Sequence, residues 1–364
     1  MSDKLFSTFS IGNTNLANRI VMAPLTRTRA LGNVPNELMA QYYGQRATAG
    51  LIITEGTSPS PNGLGYPNIP GVFSAEQVAG WQLVTNAVHE AGGKICLQIM
   101  HTGRITHIDN LPEGGEVVAP SAVESGVEMY TLKGKKEILS IAREMSKQDI
   151  EHAIEEHVQA AKNAIEAGFD GVELHGANGY LIEQFIHPHT NRRQDEYGGS
   201  IENRARFALE VARRVVAAIG ADRVGIRLSP FGQNNNMPLY DTIEADYLYL
   251  AEQLSEVGLV YAHMVDHSSM GAAEVPRAFK QRFRAAFQGA FILSGGYDAE
   301  RAESDLQDGL GDLVAFGRLY IANPDLVERM KIGASLNEPN PATFYAPGPE
   351  GYVDYPALEA QSSK

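Results

Sequence analysis

Cysteine is all but missing from this chain: Cys96 is the only one in 364 residues. A single thiol makes no internal disulfide and holds no iron–sulfur cluster. Its place inside the apolar run KICLQIM suits a small buried hydrophobe. Basic tracts are also missing. Lys and Arg number 30 against 44 Asp and Glu, a formal charge of −14, which opposes attraction to nucleic acid or anionic lipid. No apolar run is long enough to span a bilayer. The opening MSDKLFSTFS lacks the basic and apolar regions of a signal peptide. These absences make a cytoplasmic protein the expectation, with no nucleic-acid or membrane partner; small-molecule substrates are the partners that the residues below point to. Monomer and homodimer stay open.

What the chain does have is alternation. Short apolar runs recur: RIVMAPL, GLIITEG, KICLQIM, GVEL, RVGIRLS, YAHMV, AFILSGG and DLVAFGR. Several are rich in Val and Ile without polar alternation, as in parallel strands buried on both faces. Longer amphipathic segments separate them. One opens with Ser146, has Asp149 three positions on, and ends near Gly168, which predicts a capped helix. Eight strand–helix units predict one (β/α)8 TIM barrel over residues 1–364. A doubly wound sheet is disfavoured, because VMAPLTRTRALG carries no G-x-G-x-x-G after the first strand. An N-terminal hairpin within residues 1–18, turning at Gly12–Asn15, is expected to close the barrel bottom. A long excursion over residues 101–146 follows the third strand, and a Pro/Gly/Tyr-rich tail occupies residues 334–364.

Barrel chemistry sits where strands end. Here those ends carry Pro24, Leu25 and Thr26; Glu55, Gly56 and Thr57; Gln98 and His101; His175, Asn178 and Tyr180; Arg227; Ser294, Gly295 and Gly296; Gly317 and Arg318. The loops after strands seven and eight form the usual phosphate site of barrels. Gly295 and Gly296 allow close backbone approach and Arg318 can grip phosphate, although two tight turns and a surface arginine account for the same residues. Arg227 ends an apolar strand. It either pairs with a structural carboxylate or faces an electron-rich ligand and stabilises developing negative charge. His187 and His189, with His175, raise the question of zinc. Pro188 places that pair in a loop, and no metal is expected.

RIVMAPLTR, LQIMHTGR, GVELHGANGYLIEQFIHPHTNRRQDEYGGSIENRARF, IRLSP, SGGY and FGRLYIANPDL together resemble the old yellow enzyme family, from about residue 4 to the GYVDYP near the C-terminus. That resemblance implies a TIM barrel with non-covalently bound FMN, reduced by NADPH or NADH. The flavin then passes hydride to Cβ of activated alkenes such as enones, maleimides and nitroalkenes; nitro compounds and nitrate esters are further acceptors. It implies that Pro24, Leu25, Thr26 and Gly56 lie along the flavin ring, and that Gln98 and Arg227 meet its pyrimidine edge. Gly295, Gly296, Gly317 and Arg318 would hold the phosphate. His175 and Asn178 would donate to the substrate oxygen, and Tyr180 would protonate Cα. Two neutral donors aimed at one oxygen form an oxyanion-hole-type arrangement, and a phenol beside them is a credible acid.

Tyr66, Met100 and Tyr352 are expected to line the substrate mouth. Met100 stands where several relatives place Trp, and GQNNNMPLY and HMVDHSSMGAAEVPRAF depart from the family pattern. Thr26 stands where one branch of the family carries Cys. Two other readings are open on residues alone. One is a barrel lyase or isomerase with a phosphorylated substrate at the strand seven/eight site, which would need a Lys Schiff base or a metal at a strand end; no strand ends in Lys. The other is a flavin-binding sensor, which would not require His175, Asn178 and Tyr180 together.

Overall fold

The structure is a computed structural model that describes residues 4–358. The first three residues of the hairpin segment and the last six of the tail lie outside the described residues. Eight parallel strands close into a barrel: β1 (Ile20–Met22), β2 (Leu51–Ile53), β3 (Ile95–Ile99), β4 (Gly171–Gly176), β5 (Val224–Leu228), β6 (Tyr261–Val265), β7 (Ala290–Ser294) and β8 (Leu313–Phe316). β8 pairs with β1 through Val314 and Ile20, which completes the ring. Almost every strand residue is buried, which explains the unalternating apolar runs.

Helices cover the outside. The helix Lys147–Glu166 starts with a full capping box between Ser146 and Asp149, and Gly168 beyond its end has φ +92. It buries Ile150, Ala153, Ile154, His157, Val158, Ala161 and Ala164, a stripe at helical spacing. The lumen holds a second, smaller core with Val21, Leu51, Ile53, Cys96, Tyr261 and Ile292. The hairpin Phe9–Ile11 with Thr14–Leu16 adds Ile11 and Leu16 to it and so closes the barrel bottom. A side chain at Gly225 would put its Cβ 2.2 Å from the Tyr261 ring, so glycine there lets that tyrosine cross the lumen.

The excursion folds into two short pairs, Glu128–Tyr130 with Lys136–Ile138 and Val118–Ala119 with Arg143–Glu144. No helix among the described residues is long and apolar enough to cross a membrane.

Candidate active site

The end of β4 and the turn after it gather the polar residues expected there. His175 is buried, and its Nδ1 accepts the Ala177 N–H at 3.3 Å. The proton therefore sits on Nε2, which is left free to donate. Burial first, then Arg227, His263 and His267, hold its pKa well below the ordinary histidine value, so the ring is neutral. Asn178 adopts φ +60, and its Oδ1 is buried without a partner. Tyr180 stacks edge-on against the His175 ring at 4.9 Å. Its hydroxyl lies 2.9 Å from that of Tyr66. Burial raises the Tyr180 pKa, which keeps the phenol protonated.

Tyr180, Tyr66 and Thr26 line a cavity of about 670 Å³ together with Met129, Tyr130 and Tyr345. Met100 lies fully buried in the apolar cluster against which Tyr66 and Tyr180 pack. Tyr352 is elsewhere, and the expectation that it lines the mouth is corrected. It is fully buried, stacked on Tyr42 at 4.0 Å, with the Arg27 and Arg29 guanidinium groups 5.2 and 4.7 Å from its ring. The physical reason is a cage of carbonyls. Arg29 donates to Thr343, Phe344, Gly348 and Glu350, and Arg27 donates to Phe344 and Gly351. These bonds fold the tail over the loop that carries Thr26, turning Tyr352 inward and Tyr345 toward the cavity. Tyr352→Ala is expected to destabilise the fold by about 3–5 kcal/mol. Tyr345→Ala should change stability by less than about 0.5 kcal/mol and raise KM for bulky substrates. Paired denaturant melts and kinetics check this, and equal stability losses would contradict it.

Deeper in the barrel, Gln98 Nε2 donates to Glu173 Oε1 at 2.7 Å, and His263 Nδ1 meets Glu173 Oε2 at 2.9 Å. Gln98 therefore keeps its carbonyl oxygen free. Arg227 sits beside His175 in register and makes no ion pair among the described residues; its buried Nε has no partner. Glu173 only partly offsets the burial that lowers its pKa. Pro24, Leu25 and Thr26 are half-buried and Gly56 is buried. Gly295 has φ +127, and a Cβ there would meet the Asp266 carbonyl at 2.0 Å; Gly296 has φ +63. Exposed Arg318 opens a short helix directly after Gly317. His187 Nε2 meets the Pro238 carbonyl at 2.8 Å and His189 is exposed.

Sequence reasoning missed Glu173, Glu183, Ser229, Asn235 and Tyr345. Of these, Glu173 carried a signal, since it interrupts the apolar run GVEL.

Burial also sets the pH response. It lowers His101 to about 3 and His157, His187 and His267 to about 4, and it pushes Glu55 and Glu183 up to about 7. Each histidine binds its proton more tightly when unfolded. Its contribution is present above 6.5 and is lost as pH falls toward 4, roughly 3 kcal/mol per group. The carboxyls act oppositely: their contribution is present below 4.5 and is lost as pH rises through 7. Four histidines outweigh two carboxyls. Tm is expected to fall steeply from pH 6.5 to 4, and a Tm that rises on acidification would contradict this.

Residues 4–337 match the model of the NADH:flavin oxidoreductase / NADH oxidase family. The chain belongs to this family, the old yellow enzymes. Among its relatives, 12-oxophytodienoate reductase 1 of Oryza sativa subsp. japonica is 44% identical, over 98% of this chain and 93% of that protein. Morphinone reductase superposes with a TM-score of 0.96 at 45% identity, covering 100% of this chain and 99% of that one. The old yellow enzyme homologue from Zymomonas mobilis gives 0.92 at 39% identity, covering 97% and 99%. Morphinone reductase has also been solved in complex with tetrahydroNAD. The protein is thus an NAD(P)H-dependent FMN oxidoreductase on a TIM barrel.

Proposed function

We propose that this old yellow enzyme reduces activated alkenes, with hydride arriving at Cβ and a proton from Tyr180 at Cα. Enones, maleimides and nitroalkenes are the substrate class; nitro compounds and nitrate esters are further oxidants of the same reduced enzyme. The carrying observation is one cluster: a neutral His175 with Nε2–H free, an Asn178 carboxamide whose buried Oδ1 has no partner among the described residues, and the Tyr180 phenol at the edge of an open cavity.

Bound FMN supplies hydride exchange with both the nicotinamide and the alkene. The chain's groups fit that cofactor. Gln98 keeps an acceptor for an imide N–H, and Arg227 is a buried cation without an ion-pair partner among the described residues, suited to a negatively charged flavin edge. Pro24, Leu25, Thr26 and Gly56 would flank the ring. Gly295, Gly296 and Gly317 would cradle the phosphate beside Arg318, since close backbone approach is what their missing side chains allow. Arg318→Ala is expected to purify with much less FMN; full occupancy would move the phosphate site elsewhere.

His175 and Asn178 would hold the carbonyl or nitro oxygen and stabilise the charge that grows on it. Tyr66 would fix the orientation of the Tyr180 hydroxyl, and Met100 would shape the wall behind both. NADPH and NADH both remain in play as reductants. Reduction of 2-methylcyclohexenone in ordinary water with NADH deuterated at the transferred C4 position tests the scheme. Nicotinamide-derived deuterium at Cβ and none at Cα is expected; nicotinamide-derived deuterium at Cα would refute hydride delivery to Cβ.

A further inference from the structure

Asn178 and Gly179 are consecutive left-handed residues, at φ +60 and +78. Asparagine followed by glycine takes up two successive left-handed residues readily, so the sequence permits the turn and the bonds around it fix it. Every backbone group around it is held. The Asn178 N–H donates to Ser229 Oγ at 2.8 Å, and its carbonyl accepts from Asn235 Nδ2 at 2.7 Å. The Gly179 N–H donates to Glu183 Oε2 at 2.5 Å, and its carbonyl accepts from Gln184 Nε2 at 2.7 Å.

Two of these ties converge on one side chain. Ser229 Oγ, which receives Asn178, itself donates to Glu183 Oε1 at 2.7 Å, and Tyr247 Oη donates to the same oxygen at 2.8 Å. Glu183 is 3% exposed and has no ion pair among the described residues. Its helix neighbours Leu181, Ile182, Phe185 and Ile186 are buried and apolar. A carboxyl in such a place is expensive unless donors surround it. A simple helix cap explains only the Gly179 bond. It does not explain donors brought from the end of β5 and from the helix Ile243–Val257.

We propose that Glu183 is a positioning residue for the reaction. Its carboxyl group locks the Asn178–Gly179–Tyr180 turn, and so sets where the Asn178 amide stands and where the Tyr180 hydroxyl meets the cavity. This rests on the roles given to Asn178 and Tyr180 above. Glu183 touches neither substrate nor cofactor; it acts through the backbone of the turn.

The test uses the FMN-loaded protein, reduced anaerobically with dithionite. Reoxidation is followed separately with 2-cyclohexenone and with dioxygen, and phenol is titrated against the oxidised form. Glu183→Gln keeps one carbonyl for Gly179, whereas Glu183→Met keeps the length and accepts nothing. Enone reoxidation should fall about tenfold in the first and about a hundredfold in the second, as expected for displaced reacting groups. Phenol affinity should fall in parallel. Reoxidation by dioxygen, which needs neither donor nor acid, should change less than about twofold on the same reasoning. An enone rate in Glu183→Met close to wild type would overturn the proposal, as would equal losses with enone and dioxygen. Should Glu183→Met fail to hold FMN, Ser229→Ala removes the hydroxyl that links Glu183 to the Asn178 N–H and leaves the Gly179 bond in place, and undiminished phenol affinity there overturns the proposal instead. A wild-type protein that the enone does not reoxidise would refute the reading of Asn178 and Tyr180 themselves.

Discussion

Tyr180→Phe is expected to slow alkene reduction by about 10²–10⁴-fold, the range for a positioned general acid, while FMN reduction by NADH changes by less than about twofold. The separation follows from the proton inventory. Taking hydride from a nicotinamide requires no proton at carbon, whereas saturating an alkene requires one at Cα. The phenylalanine ring preserves the edge-on contact with His175 and the packing against Met100. It loses the hydroxyl, and with it the 2.9 Å bond to Tyr66. Stopped-flow traces of the two half-reactions check this. An unchanged alkene rate would remove Tyr180 as the acid. Equal slowing of both half-reactions would mean that the substitution deforms the cavity.

Replacing His175 and Asn178 together by alanine should cost alkene reduction about a thousandfold or more, since losing one such donor alone costs 10²–10³. Phenol binding to the oxidised enzyme should weaken in step, because a phenolate oxygen presents the same partial charge to the same two donors. FMN content should hold, since neither residue is assigned to the cofactor. His175 is the firmer half of this pair. Its tautomer follows from the Ala177 N–H, and its neutrality from burial reinforced by Arg227. Undiminished phenol affinity in the double variant would refute the donor role.

The barrel was legible because its strands are buried on both faces, so each reads as an unbroken apolar run between amphipathic helices. Ser146 and Asp149 announced their helix in the same local way. Polar strand ends were legible too, because polar residues at the close of such runs have no packing reason to be there. The tail was not. Tyr345 and Tyr352 lie seven positions apart in a Pro/Gly-rich segment with no periodicity. Which of them faces the cavity is decided by Arg27 and Arg29, whose partners lie at the other end of the chain. Glu183 was hidden for a related reason: an acid in the first turn of a helix reads as a surface charge. Only the approach of Ser229 and Tyr247 from separate elements shows it to be the hub of a buried network.

One flavin site that accepts hydride from a nicotinamide and returns it to an alkene can be followed in a single anaerobic cuvette, by recording the visible spectrum of the purified protein before and after NADPH or NADH, then after 2-cyclohexenone. A yellow protein that bleaches with the nicotinamide and regains its colour with the enone is expected. A flavoprotein that bleaches but stays colourless with the enone and with other activated alkenes would contradict it.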